Sequence, residues 1–167
     1  FGLGYEAVRA INPALIYCSM SGFGQTGPKA GHPAYDVVIQ AWSGIMAANG
    51  WNGEDAPLRV GPPMVDYGTG AQAAMAIAAA LFQRSRTGKG QFIEAPMLEC
   101  FKALYLVENL YGHTFQPPLA QMAYTRSSSI NRMPYPTLDG YIGIMPYSDQ
   151  QWVTFFELGG RPEVMTT

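Results

Sequence analysis

Apolar and polar positions change their spacing several times along the chain, and each change marks an element. Ala14-Leu-Ile-Tyr-Cys-Ser19 follows Asn12-Pro13 as a short apolar run without alternation. That is the pattern of a buried parallel strand. Ser21-Gly-Phe-Gly-Gln-Thr-Gly-Pro28 is punctuated as a loop. Pro33 is suited to opening a helix, with Asp36 near its positive end, running to about Ala48 and stopping at Gly50. Trp51 to Pro63 reads as a polar connection, and Met64-Val65 as a short strand leading into Asp66. Thr69 and Gln72 then form a T-x-x-Q capping box for a helix through the alanine-rich stretch Ala71 to Phe82. Arg84 and Arg86 suit its negative end, and Gly88 its stop. Gln91 to Ala95 predicts a second strand, and Met97 to about Tyr111 a further helix. Strand, helix, strand, helix predicts an α/β fold, a parallel sheet with flanking helices.

From His113 to Arg132 the chain turns polar and serine-rich and contains Pro117-Pro118. We expect a linker over 113–132 between part of a large α/β domain (1–112) and the beginning of a small α+β domain (133–167). In that tail Asp139-Gly140 lies between Pro134-Tyr-Pro-Thr137 and Tyr141-Ile-Gly-Ile144, a hairpin signal. Ser148 and Gln151 make a second capping box, ahead of a helix from Trp152 to Leu158 that Gly159-Gly160 ends.

Composition narrows the function classes. The 167 residues are 48% hydrophobic and 13% charged with a net charge of −2, which excludes a disordered chain. Ten Lys and Arg against 12 Asp and Glu leave no electrostatic footprint for nucleic acid. No apolar run approaches the ~20 residues of a membrane span, so no membrane partner is expected. The low charge and the opening at Phe1 lead us to expect a central piece of a larger protein. Cys18 and Cys100 match neither a disulfide framework nor a metal spacing, and reduced thiols in a cytoplasmic protein are the expectation. His32 and His113 stand isolated, so no metal site is expected.

Asp66 is the only formally charged side chain among the 24 residues from Val60 to Gln83. It falls between a predicted strand end and a predicted helix start, where ligands bind in open α/β sheets. Two readings are compatible: it caps the following helix, or it serves as a carboxylate nucleophile. Gly22-Phe-Gly24-Gln-Thr-Gly27 matches G-x-G-x-x-G, but Pro28 follows at once and no acid sits at the ribose offset. A loop that lets backbone approach a ligand fits better. Tyr35, opening the next helix, either packs or points into a cleft. Thr87-Gly-Lys-Gly-Gln91 reads as a helix-to-strand turn, since it follows a helix and lacks the phosphate-loop pattern.

Taken in order, several of these pieces resemble one family. They are Asn12-Pro-Ala-Leu-Ile-Tyr17, the loop Ser21 to Pro28, Ala34-Tyr-Asp36 and the helix to Gly44. They continue with Val65-Asp-Tyr-Gly-Thr-Gly70, Ala80-Leu-Phe-Gln-Arg84, Arg86 to Gln91 and Tyr135 to Tyr141. The chain is similar to the family III CoA-transferases, the group that also contains the α-methylacyl-CoA racemases. The resemblance implies a Rossmann-like large domain and an interlocked homodimer when the chain is full length. It implies an acyl-CoA and a small carboxylic acid as substrates, with no further cofactor. It places the catalytic aspartate on Asp66 and substrate or CoA contacts at Gly22, Phe23, Gly24 and Tyr35. On this reading Asp66 forms an aspartyl-CoA thioester in an acyl-CoA:carboxylate CoA transfer. The racemases pair their aspartate with a histidine, whose position falls on Tyr35 here. A phenol of pKa ~10 exchanges a proton poorly near neutral pH, which favours transfer over racemisation. A 2-methylacyl-CoA racemase is the alternative enzyme, and a non-enzymatic nucleotide-binding module around Gly22–Gly27 the alternative of another class. Pro33 stands where some transferases carry a CoA-contacting lysine.

Overall fold

A computed structural model of the chain describes residues 1–49, 56–129 and 131–166. The expected helix stop at Gly50 and the first part of the expected connection, 51–55, lie outside these residues. Contacts divide the chain into two compact units, Phe1–Tyr124 and Thr125–Thr167.

In the first unit, helix α1 (Tyr5–Ile11) precedes strand β1 (Ile16–Ser21). β1 pairs in parallel with β2 (Gln91–Pro96), in register from Ile16 opposite Gln91 to Ser21 opposite Pro96. β2 falls where its run predicts it, whereas β1 begins two residues later than the run Ala14–Ser19 and extends through Ser21, the first residue of the expected loop. The cross-strand pair Tyr17 and Phe92 stacks with ring centroids 5.9 Å apart, and Tyr5 of α1 covers both rings. Between the strands come α2 (Asp36–Ser43), α3 (Ile45–Asn49) and α4 (Met64–Thr87), and after β2 comes α5 (Met97–Leu110). The fold class is therefore mixed α/β with a parallel pair of strands and packed helices. α4 packs against α5 and both strands, and α2 against α4 and α5. Ile39, Val65 and Phe101 form the core where these helices meet, with Phe23, Ala34, Ile45, Met97, Leu98 and Tyr105 packed around them.

Three sequence expectations are corrected here. Pro33 does not open a helix: α2 begins at Asp36, with Tyr35 in extended conformation before it. The single helix expected to about Ala48 is broken at Gly44, whose φ of 90° is a left-handed conformation that ends α2 before α3 begins. Met64-Val65 is not a strand but the first turn of α4, which starts five residues before the predicted capping box. Thr69 is instead fully buried inside the helix, and Gln72 donates from Nε2 to the Cys100 carbonyl at 2.6 Å. α4 ends as expected, at Gly88, whose N–H donates to the Arg84 carbonyl.

The segment between α3 and α4 is stitched at its flanks. Leu58 N–H donates to the Met46 carbonyl at 2.9 Å, and Asn49 Nδ2 to the Leu58 carbonyl at 3.2 Å. Gln40 holds Val60 from both sides, its Oε1 accepting from the Val60 N–H and its Nε2 donating to the Val60 carbonyl.

In the second unit, β3 (Tyr135–Pro136) and β4 (Tyr141–Ile142) form the antiparallel hairpin predicted around Asp139-Gly140. Helix α6 (Asp149–Leu158) carries the complete capping box of Ser148 and Gln151. The described residues between Phe115 and Pro134 contain no helix or strand.

Candidate functional site

Asp66 occupies the third position of α4. Its neighbour Val65 is turned fully into the core, so one helical step later Asp66 stands exposed. Among the described residues no group hydrogen-bonds or ion-pairs with its carboxylate. The capping reading of Asp66 does not describe this geometry, because the helix has already begun.

The cap comes from elsewhere. Pro63, at the N-cap position, offers no side-chain acceptor. Asp36, the first residue of α2, supplies one across 29 positions of chain: its Oδ2 accepts from the Val65 N–H at 2.8 Å and from the Asp66 N–H at 3.3 Å. First-turn amides of a helix have no partner within it, and a carboxylate there also meets the positive end of the helix dipole. Asp36 is only 9% exposed, and its second oxygen accepts from Gln40 Nε2 at 2.6 Å. Gln40 is fully buried, and both hydrogens of its amide are used, one on Asp36 and one on Val60. The carboxylate's burial is thus matched by donors, as a buried charge requires.

Tyr35 immediately precedes Asp36, whose carboxylate holds the Asp66 amide. The Tyr35 ring is 76% exposed, so of the two sequence readings the packed one is not realised. Gly22 lies against Ala34, the residue before Tyr35, and its carbonyl accepts from the Leu98 N–H at 3.1 Å. Phe23 packs on the core cluster that contains Val65, and its ring meets Trp42 edge-on at 5.9 Å. Lys29 Nζ sits over the Trp42 ring, 4.0 Å from its centroid. Gly24 takes a φ of 91°, and its N–H donates to Ser21 Oγ at 3.1 Å. Glu94, on β2, accepts from the Gln25 N–H and so ties the loop to the sheet. Contacts of Gly22 with Ala34, of Phe23 with the core around Val65 and of Asp36 with the Asp66 amide thus link the segments that carry Gly22, Phe23, Tyr35 and Asp66, while the Gly24 amide is held by Ser21.

Three further residues tie these segments without a sequence signal that marks them for it. Asp36 reads in the sequence as serving its own helix, and its partners at Val65 and Asp66 are too distant along the chain to leave a local pattern. Gln40 and Glu94 carry no motif at all; each is a polar side chain between apolar neighbours, Ile39 and Ala41 in α2 and Ile93 and Ala95 in β2. His32 and His113 are exposed and take no part. Cys18 and Cys100 are free thiols, half-buried, and burial pushes the Cys100 thiol up, aided by the charges of Glu99 and Cys18. A groove of about 610 Å³ beside the sheet is lined by Tyr5, Tyr17, Ser19, Gln25 and Phe92 among others, and by none of the five residues singled out in the sequence. No helix among the described residues is long and apolar enough to cross a membrane.

Residues 1–167 match the family model for CoA-transferase family III. The chain is 36% identical over 156 residues to a succinate–glutarate CoA-transferase of Agrobacterium fabrum, covering 91% of this chain and 38% of that protein. It is 50% identical over 99 residues to an acetyl-CoA:oxalate CoA-transferase of Acetobacter aceti, covering 59% of this chain and 25% of the relative. The crystal structure of a CAIB/BAIF family protein from Brucella suis superposes with a TM-score of 0.80 at 34% identity, over 99% of this chain and 44% of that one. The chain thus spans well under half the length of the curated relatives it matches.

Proposed function

This chain belongs to CoA-transferase family III, and we propose that the whole protein moves CoA from a donor acyl-CoA to an acceptor carboxylic acid, with Asp66 as the nucleophile. The Asp66 carboxylate attacks the acyl carbonyl, the C–S bond breaks, and a mixed anhydride and CoA thiolate result. The thiolate attacks the Asp66 carbonyl, releasing the donor acid and leaving an aspartyl-CoA thioester. The acceptor carboxylate attacks that thioester, expelling CoA thiolate and forming a second anhydride. Thiolate attack on the acceptor's acyl carbonyl then yields the new acyl-CoA and restores the Asp66 carboxylate. Covalent catalysis of this kind divides one difficult exchange into easier steps. The thioester is itself the substrate, and these steps require no resident cofactor.

One observation carries the reading: Asp66 is an open carboxylate on a helix turn whose backbone is anchored by a different carboxylate. A capping aspartate would be occupied; this one is available. The Val65 and Asp66 amides are engaged with Asp36, so donors that stabilise the developing oxyanion come from other groups. Gly22, Phe23 and Gly24 form the backbone approach for the CoA thioester, and Tyr35 lends a phenol hydrogen bond. The relatives named for succinate, glutarate and oxalate make small dicarboxylates the first acceptors to assay. We also read β1 and β2 as part of a wider Rossmann-like sheet and residues 133–167 as the beginning of a small α+β domain. The whole protein is read as a cytoplasmic homodimer with no nucleic-acid or membrane partner.

The test is made on the full-length protein. Asp66→Ala and Asp66→Asn are expected to abolish transfer equally, although Asn caps a helix nearly as well as Asp. Hydroxylamine added after acyl-CoA is expected to modify the tryptic peptide Val60–Arg84. Near-normal transfer by Asp66→Asn, or label on Glu94 or Glu99, would overturn the assignment.

A further inference from the structure

We propose that Asp36 is a positioning residue for the Asp66 nucleophile, setting its place by holding its backbone amide. The inference rests on the nucleophilic reading of Asp66 above. Most helices are capped by a residue adjacent in sequence, so that cap and helix move together. Here the cap belongs to α2, and the Asp36 carboxylate fixes where the first turn of α4 lies relative to that helix. The residue immediately before it is Tyr35. One dipeptide therefore presents the exposed phenol and grips the amide of the exposed carboxylate, so the two groups share a single anchor.

The hydrogen-bond inventory makes this anchor dependent on a carboxylate. Asp36 must accept at both oxygens, from two backbone amides on one side and from Gln40 Nε2 on the other. Gln40 cannot turn over to help, because its Oε1 accepts from the Val60 N–H and its Nε2 donates to the Val60 carbonyl. An asparagine at position 36 brings one acceptor and one donor, so two N–H groups must face each other either at Gln40 or at Val60. Combining Asp36→Asn with Gln40→Glu removes that conflict: the asparagine oxygen takes the two amides, and its nitrogen donates to the carboxylate introduced at position 40. That carboxylate still accepts from the Val60 N–H, while its other oxygen faces the Val60 carbonyl where Nε2 donated, so the repair is partial.

The experiment uses the full-length protein and follows the rate at which hydroxylamine-trapped label appears on the Asp66 peptide after mixing with acyl-CoA. Steady-state kcat and KM are measured beside it. Asp36→Asn is expected to slow labelling and kcat about tenfold or more, with KM for the acyl-CoA changed less than about threefold, since misplacing a reacting group is felt in the chemical step. The double variant Asp36→Asn with Gln40→Glu is expected to label several-fold faster than Asp36→Asn, which a general loss of folding would not do. Labelling at the wild-type rate in folded Asp36→Asn would overturn the inference. So would labelling in a folded double variant no faster than in Asp36→Asn, and should Asp36→Asn not fold, absence of labelling in the folded double variant decides alone. Label on another carboxylate in the wild type would overturn the nucleophile reading and take this inference with it.

Discussion

Gly22 and Ala34 touch so closely that a Cβ added to Gly22 would stand 2.3 Å from the Cβ of Ala34. Neither atom has a torsion by which to retreat, so the backbone of one segment must move. Ala34 also packs against the Ile39–Val65–Phe101 core and precedes Tyr35. Gly22→Ala is expected to destabilise the full-length protein by about 1–3 kcal/mol, the usual range for overpacking. Chemical denaturation checks this, and an unchanged midpoint would show that the two segments separate freely.

The resemblance drawn from the sequence implies that Tyr35 occupies the position at which the racemases carry a histidine. The whole protein is accordingly expected to incorporate no solvent deuterium at the α-carbon of a 2-methylacyl-CoA. Mass spectrometry of recovered substrate reads this directly, and exchange at a rate comparable with turnover would reverse the choice between transferase and racemase. Tyr35→Phe is expected to slow transfer only several-fold, because one phenol hydrogen bond contributes about 1 kcal/mol.

Local pattern and tertiary contact divide cleanly in this chain. The strand at 91–96, the stop at Gly88, the hairpin at Asp139-Gly140 and the Ser148 box rest on neighbours in sequence, and the sequence alone places them, with the strand read at 14–19 found two residues further on at 16–21. The start of α4 does not, because its cap is Asp36 rather than any residue between Gly61 and Pro63. Thr69-x-x-Gln72 imitates a helix start, yet Thr69 belongs to the core and Gln72 to the α5 backbone. Asp66 is recognisable because it is a lone charge in an apolar stretch. The residues that orient it are not, since a hydrogen bond over 29 or 30 positions leaves no periodicity to read.

The Cys100 thiol offers a test by pH. Burial is the main cause of its raised pKa, with Glu99 and then Cys18 acting in the same direction. A raised pKa leaves less thiolate at a given pH, and the thiolate is the reactive form. Alkylation of the Cys100 peptide by iodoacetamide is therefore expected to keep accelerating with pH beyond the range where an ordinary exposed thiol levels off. Levelling off in the ordinary range would contradict the burial seen here.

In the second unit Ser148 Oγ accepts from the Gln151 N–H at 3.3 Å, and Gln151 Oε1 accepts from the Ser148 N–H at 3.1 Å. Ser148→Ala removes one half of this reciprocal pair and is expected to cost α6 about 1 kcal/mol, whereas Ser148→Asp retains an acceptor. Amide hydrogen exchange in the first turn of α6 is the measurement. Equal protection in the serine, alanine and aspartate forms would show that packing alone holds the turn.

The ties from Gln40 to Val60, Met46 to Leu58 and Asn49 to Leu58 hold residues 58–60 against α2 and α3. Asp66 lies six residues beyond Val60, the last of these anchored positions. Lengthening a loop twofold adds only about 0.6 kcal/mol of closure entropy. A change of chain length between Asn49 and Leu58 is therefore expected to leave the hold of Asp36 on the Asp66 amide intact, even as their separation in number changes.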